Sequence, residues 1–302
     1  MENRAVRRRH SAFAAFLATV AMAVGLTAVP ADAAPPPEID YVALGDSYTA
    51  GTGAGTFPTL APCIQTPAGY VDAVGETRRV NLAFNAACHG ALLTQNSDIP
   101  HDTRIPSIEQ QIDYLLVSHV LTEDTELVSI TAGANDVGVT GVLVTCLTQA
   151  PQACLAAVQA SATFFADMQT ELNAALQRIR TAAPNAEIVV LGYPRLFDPT
   201  IPFAQVDPVV LNAINTAVDA LNDSVETAVK DSGTGAVFVD VTNRFKGHAV
   251  NSDNPWIFFI APSLAPDGSL VFDPRNFHPN PAGHRAYASA LLAAIKPGQL
   301  VR

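Results

Sequence analysis

The chain has 302 residues, with 17 basic and 28 acidic side chains and a formal charge of −11. Such an excess of negative charge argues against nucleic acid or an anionic membrane as partner, because both are polyanions. It leaves the substrate open.

The first residues read as an address. Arg4, Arg7, Arg8 and Arg9 precede a small and apolar run from Ala12 to Val29, and Ala31-Asp32-Ala33 fits a small-x-small cleavage site. Residues 1–33 are expected to be a secretory signal peptide, leaving 34–302 as one extracellular domain. An uncleaved anchor is the alternative, since the run approaches the ~18–20 residues that span a bilayer. The small-residue composition and the cleavage site favour removal. Cleavage would take four arginines and two acids (Glu2, Asp32) from the total, moving −11 to −13. No second stretch is long and apolar enough to span, so no stable membrane insertion is expected after cleavage.

After a flexible lead-in, Ala34-Pro35-Pro36-Pro37, the elements alternate. Ile39 to Gly45 reads as a buried strand and Arg79 to Phe84 as a second. Ile105 to Val120 carries apolar residues at Ile105, Ile108, Ile112, Leu115 and Leu116, a helical period. Glu126 to Thr131 is a third strand. Pro151 to Ala183 reads as one long alanine-rich helix, closed by Pro184-Asn185. Glu187 to Leu191 is a fourth strand, Pro208 to Val229 a helix, and Ala236 to Val241 a fifth strand. Asn243 to Phe272 is expected to be irregular. Pro281 to Ile295 is a final helix with proline near its start. Apolar strands alternating with helices predict a three-layer α/β/α sandwich around a mostly parallel five-stranded sheet.

All four cysteines lie beyond residue 33. An even count in an exported chain predicts two disulfides, with three possible pairings. Cys146 and Cys154 flank Pro151 and make a natural local loop, leaving Cys63 with Cys88. A zinc site is a weak rival, since no C-x-x-C pair exists.

In an open parallel sheet, ligands bind beyond the carboxyl ends of the strands. Gly45-Asp46-Ser47, "NAACHG" (Asn85 to Gly90), Gly133-Ala134-Asn135-Asp136 and His278-Pro279-Asn280 all fall there or just before the last helix. Singly, each has a bland reading: Asp-Ser and Asn-Asp are ordinary helix caps, and a lone histidine is more often structural. Together, and with "YVALGDSYTAG", "GANDV" and "HPNPAGHRAYA", they resemble the SGNH (GDSL-type) hydrolase family, in particular secreted actinobacterial-type esterases and lipases. The order and relative spacing hold over nearly all of 34–302.

The resemblance implies an SGNH/flavodoxin-like fold and a role for each motif. Ser47 would be the nucleophile, with Asp46 bracing its turn at a strand-to-helix junction. His278 would be the general base and acid. The amides of Ser47 and Gly90 and the side chain of Asn135 would form an oxyanion hole, and Asp136 would cap a helix. His284 would be structural. His89, beside Gly90, is a minor candidate for the site, whereas His101, His119 and His248 lack motif context. The family's aspartate three residues before the histidine is replaced by Arg275, whose side chain cannot accept a ring N–H. Either the backbone carbonyl of Arg275 orients His278, giving a Ser-His dyad, or Asp273 does, giving a triad.

The chain is thus expected to be a monomeric carboxylic-ester hydrolase needing no metal or organic cofactor, acting on small-molecule, lipid or glycan esters. "PWIFFIAP", Pro255 to Pro262, lines an acyl pocket or forms a buried edge of the core. A surface-binding protein on a catalytically reduced scaffold is the alternative. An α/β-hydrolase lacks its G-x-S-x-G here, and nucleotide binding lacks both a P-loop and G-x-G-x-x-G.

Overall fold

The computed structural model describes residues 38–55, 63–204 and 206–295. The expected signal peptide at 1–33 and the lead-in at 34–37 lie outside them. In chain order the elements are β1 (Ile39–Gly45), α1 (Tyr70–Gly75), β2 (Val80–Asn85), α2 (Ile108–Val117), β3 (Leu127–Thr131), α3 (Val139–Thr148), α4 (Pro151–Ser161) and α5 (Phe165–Ala182). Then come β4 (Glu187–Leu191), α6 (Pro208–Asp231), β5 (Val237–Val239), a two-residue-per-strand hairpin β6 (Ser263–Leu264) and β7 (Leu270–Val271), and α7 (Pro281–Ile295).

The five main strands are all parallel, in the order β2-β1-β3-β4-β5. β1, β3 and β4 are apolar along almost their whole length because helices cover both faces. α1 packs on α7, while α2, α5 and α6 pack in series. The edge strands β2 and β5 are partly exposed, and β5 is accordingly shorter than its apolar run predicts. Two ends follow from caps. Ser107 and Gln110 form a capping box on α2. Asp207 accepts the Val209 N–H at 2.8 Å, and Pro208 opens α6.

The expected single helix from Pro151 to Ala183 is two helices, separated by a 3₁₀ turn at Ala162–Phe164. Neither proline nor glycine marks the break. Instead α4 is tied to α3 through the Cys146–Cys154 disulfide, whereas α5 packs on α2 and α6, so the chain must change direction between them. The Ser161 hydroxyl fixes this corner by donating to the Val137 carbonyl at 2.7 Å. The second disulfide joins Cys63 to Cys88. Among the described residues no helix is long and apolar enough to cross a membrane.

The strand order reverses at β1, whose neighbours are β2 on one side and β3 on the other. Loops leaving β1 and β3 therefore diverge and open a crevice at their carboxyl ends. Gly45 and Thr131, the last residues of those strands, are level in the register. The segments holding Ser47 and Asn135 thus leave the sheet side by side.

Candidate active site

Gly45 ends β1 with φ +138°, and a Cβ there would sit 2.5 Å from the Thr131 carbonyl oxygen, so only glycine fits. Its N–H and carbonyl are both bound by the buried Gln111 side chain, at 2.8 and 3.0 Å. Beyond it the chain makes a series of turns, with Ala50 N–H donating to Asp46 and Thr52 N–H to Ser47. The expected helix after Ser47 does not form. Asp46 holds the turn: its carboxylate accepts from Tyr48 N–H at 3.0 Å, Thr131 Oγ1 at 2.6 Å and Tyr193 Oη at 2.6 Å. Burial pushes its pKa up to about 6, against the pull of those three donors.

Asn280 accepts from Ala282 and Gly283 N–H and so caps α7. This places His278 two residues ahead of a fixed helix cap. His278 Nε2 lies 2.7 Å from Ser47 Oγ. On its other side, Nδ1 lies 2.9 Å from the carbonyl oxygen of Asn276. That contact requires Nδ1 to carry the proton, leaving Nε2 as acceptor for the serine. The ring is flanked by Tyr48 and His89, each with its ring centroid 5.3 Å away. Burial, reinforced by His89, pushes its pKa down to about 3, against the Asn276 carbonyl, which raises it. The imidazole is therefore neutral at pH 7, the form a base needs.

Of the two expected orienters, the Arg275 carbonyl lies near enough to the His278 ring to raise its pKa, as the Asn276 carbonyl does, while the hydrogen bond at Nδ1 is to Asn276. The Arg275 carbonyl accepts the backbone N–H of His278 at 3.1 Å, and the Asp273 carboxylate is taken by Arg275 through its N–H, Nε and Nη2. A positive φ of 65° at Phe277 turns the chain so that the Asn276 carbonyl, one residue beyond Arg275, faces the ring.

Gly90 has φ +81°, a conformation favouring glycine, and follows the Cys63-bonded Cys88. Neither its N–H nor that of Ser47 has a partner among the described residues. Asn135 donates one amide hydrogen to the Ala91 carbonyl at 2.9 Å, keeping the second free for the cavity. Asp136 caps no helix. α3 starts from Gly138, with no side-chain cap, and Asp136 Oδ1 instead accepts the Leu93 N–H at 2.8 Å. Its other oxygen is buried with no partner among the described residues.

That orphaned oxygen makes a stability prediction. Burial raises the Asp136 pKa to about 7 from an ordinary 3.8. Folding thus favours the acid form: the contribution is full below the unfolded value and is lost as pH rises through about 7. Asp136→Asn keeps the acceptor for Leu93 and cannot ionise. Its stability relative to the native chain should climb by at least about 1 kcal/mol between pH 4 and pH 8. Thermal melts at both values check this, and a pH-independent difference would contradict it.

Ser47, His89, Gly90, Asn135 and His278 line one cavity of about 330 Å³. Its remaining wall is largely apolar, with Val139, Leu143, Val144 and Leu147 from α3 facing Leu196, Val218 and Leu221. Pro255 to Pro262 does not line it. Ile257 bridges to Pro279, and Phe259 packs on Phe203 and Phe277, so this segment is an edge of the core. His284 lies apart and is structural, its Nδ1 accepting from Tyr70 N–H and its Nε2 donating to the Thr52 carbonyl. Among the described residues no three His, Cys, Asp or Glu side chains gather as a metal site.

The model of the GDSL-like lipase/acylhydrolase family matches residues 43–286. The chain belongs to this family. A lipase of Streptomyces rimosus is 32% identical over 256 residues, covering 84% of this chain and 88% of the lipase. Among solved structures, phospholipase A1 from Streptomyces albidoflavus NA297 is similar at 28% identity and a TM-score of 0.67, covering 85% of this chain and 99% of that one. The extracellular lipase from Streptomyces rimosus gives 28% and 0.66, with the same coverage. As a GDSL-type carboxylic-ester hydrolase, the chain has the parallel sheet and flanking helices of these neighbours.

Two contributors to the cavity are poorly signalled in the sequence. The Asn276 carbonyl is a backbone group that every residue possesses. The wall from α3 was legible in principle, since Val139, Leu143 and Leu147 recur at i, i+4 and i+8, but Gly138 and Gly141 disguise the segment as a loop.

Proposed function

We propose that the protein is an exported serine esterase or lipase working through an acyl-enzyme with a Ser-His dyad. Ser47 Oγ attacks the ester carbonyl carbon while its proton passes to His278 Nε2. The oxyanion is met by the amides of Ser47 and Gly90 and the free hydrogen of Asn135. The oxyanion then re-forms the carbonyl as the bond from the acyl carbon to the alcohol oxygen breaks, and His278 gives its proton to that departing oxygen. Water repeats the sequence on the acyl-serine, releasing the acid and restoring Ser47. The 2.7 Å contact between Ser47 and His278 carries the reading. The apolar wall of α3 is read as the acyl site, favouring fatty over purely acetyl esters.

Export is supported by the N-terminal pattern, by two disulfides and by similarity to a lipase described as extracellular. Residues 34–302 are read as a single, monomeric domain.

An organophosphonate probe should label one residue, and peptide mapping should find it at Ser47. The dyad is tested by Asp273→Ala. With the Asn276 carbonyl as orienter, kcat should fall less than about 10-fold, against the ~10⁴-fold typical of a triad aspartate. Label elsewhere contradicts the nucleophile, and a fall on the larger scale contradicts the dyad.

A further inference from the structure

His89 is held as a reading group rather than a packing group. Its backbone N–H donates to Cys63 at 3.0 Å, and the disulfide from Cys63 to Cys88 ties down the residue before it. Its Nδ1 lies 3.1 Å from Thr52 Oγ1, which fixes the ring plane. Nε2 has no partner among the described residues and is not sealed from the cavity. An anchored imidazole thus offers one open nitrogen in the site, with its ring 5.3 Å from that of His278.

The direction of the leaving group follows from the chemistry. His278 Nε2 must give its proton to the departing oxygen, so the alcohol must leave on the side of that ring. The acyl half is drawn to the apolar wall of α3. The first carbons of the alcohol therefore pass beside His89.

We propose that His89 reads the alcohol half of the ester, binding a hydroxyl next to the departing oxygen and making the enzyme favour esters of polyols over esters of simple alcohols. The inference rests on the roles of Ser47 and His278 given above. A hydroxyl suits the open nitrogen whichever tautomer Thr52 selects, because it both donates and accepts. Burial keeps the ring neutral, with its pKa pushed down to about 4, so it offers a phosphate no positive charge. A phosphate-bearing alcohol is therefore the poorer fit. The shared chemistry, a hydroxyl neighbouring the ester oxygen, occurs in partial glycerides and in sugar esters.

The experiment compares kcat/KM in pairs with a common acyl group: glyceryl monobutyrate against propyl butyrate, and an acetylated methyl glucoside against propyl acetate. In His89→Ala the polyol-to-propyl ratio should fall about five- to ten-fold for at least one pair, the value of one hydrogen bond. His89→Gln, which returns an amide near the position of Nε2, should recover part of it. The responding pair tells glyceride from sugar. Equal loss on polyol and propyl esters would overturn the proposal, as would an unchanged ratio. Should His89→Ala fail to fold, Thr52→Val, which frees the ring, carries the same comparison. Absence of all ester hydrolysis and of Ser47 labelling in the native protein would instead reject the serine-esterase reading itself.

Discussion

Ser47→Ala is expected to lower kcat on a short acyl ester by at least about 10⁴-fold, and His278→Ala to do the same. The alanine variant of Ser47 has no atom that forms the acyl bond. The variant of His278 keeps the hydroxyl but has nothing to take its proton, and a serine hydroxyl alone is a poor nucleophile. On the proposed dyad the two act as one unit across their 2.7 Å contact, so the double variant should be little worse than either single one. Burst and steady-state kinetics on the three proteins test this. Additive losses, or substantial turnover by Ser47→Ala, would show that another group attacks.

Asn135→Ala should cost about 10²–10³ in kcat with KM changed far less. The side chain divides its donors, one hydrogen bound to the Ala91 carbonyl and one free. The bound hydrogen aims the free one, so little reorganisation is needed when charge grows on the substrate oxygen. The ground-state carbonyl is only weakly polarised and gains much less from the same donor, which is why the loss belongs in kcat. A full kcat and KM set for the variant decides the matter. A change confined to KM would make Asn135 a binding residue and remove it from the oxyanion hole.

Much of the fold was legible because its signals are local. β1 and β4 are short apolar runs ended by turns, and α7 begins at a proline behind an asparagine cap, so their observed bounds coincide with the expected ones. α6 was found to within two residues from Pro208 and its apolar stripe. α1 was not expected: it has six residues and no side-chain cap. Its Tyr70 and Val74 are buried where it packs on α7 and β2. The break after Ser161 is likewise a tertiary effect, set by where α4 and α5 are each anchored.

The candidate site divides the same way. Ser47, Gly90, Asn135 and His278 stood out through the joint order of their motifs and the family resemblance those carry, and they share one cavity. A peptide carbonyl was expected to orient His278, but at Arg275, and the one bound to Nδ1 is that of Asn276, one residue on, because a peptide carbonyl has no residue code. The alternative orienter, the Asp273 carboxylate, is bound by the Arg275 side chain. Asp136 looked like a cap from its position after Asn135, whereas its partner, Leu93, is 43 residues away.

The two halves of the reacting pair stand 231 residues apart. Ser47 follows the first strand, while His278 arrives only after β5 has ended at Val239. A growing chain therefore carries its hydroxyl through nearly the whole of synthesis with no imidazole beside it. On the proposed mechanism, the hydroxyl gains its base only once the segment leading into α7 has been made and has folded against the loop after β1.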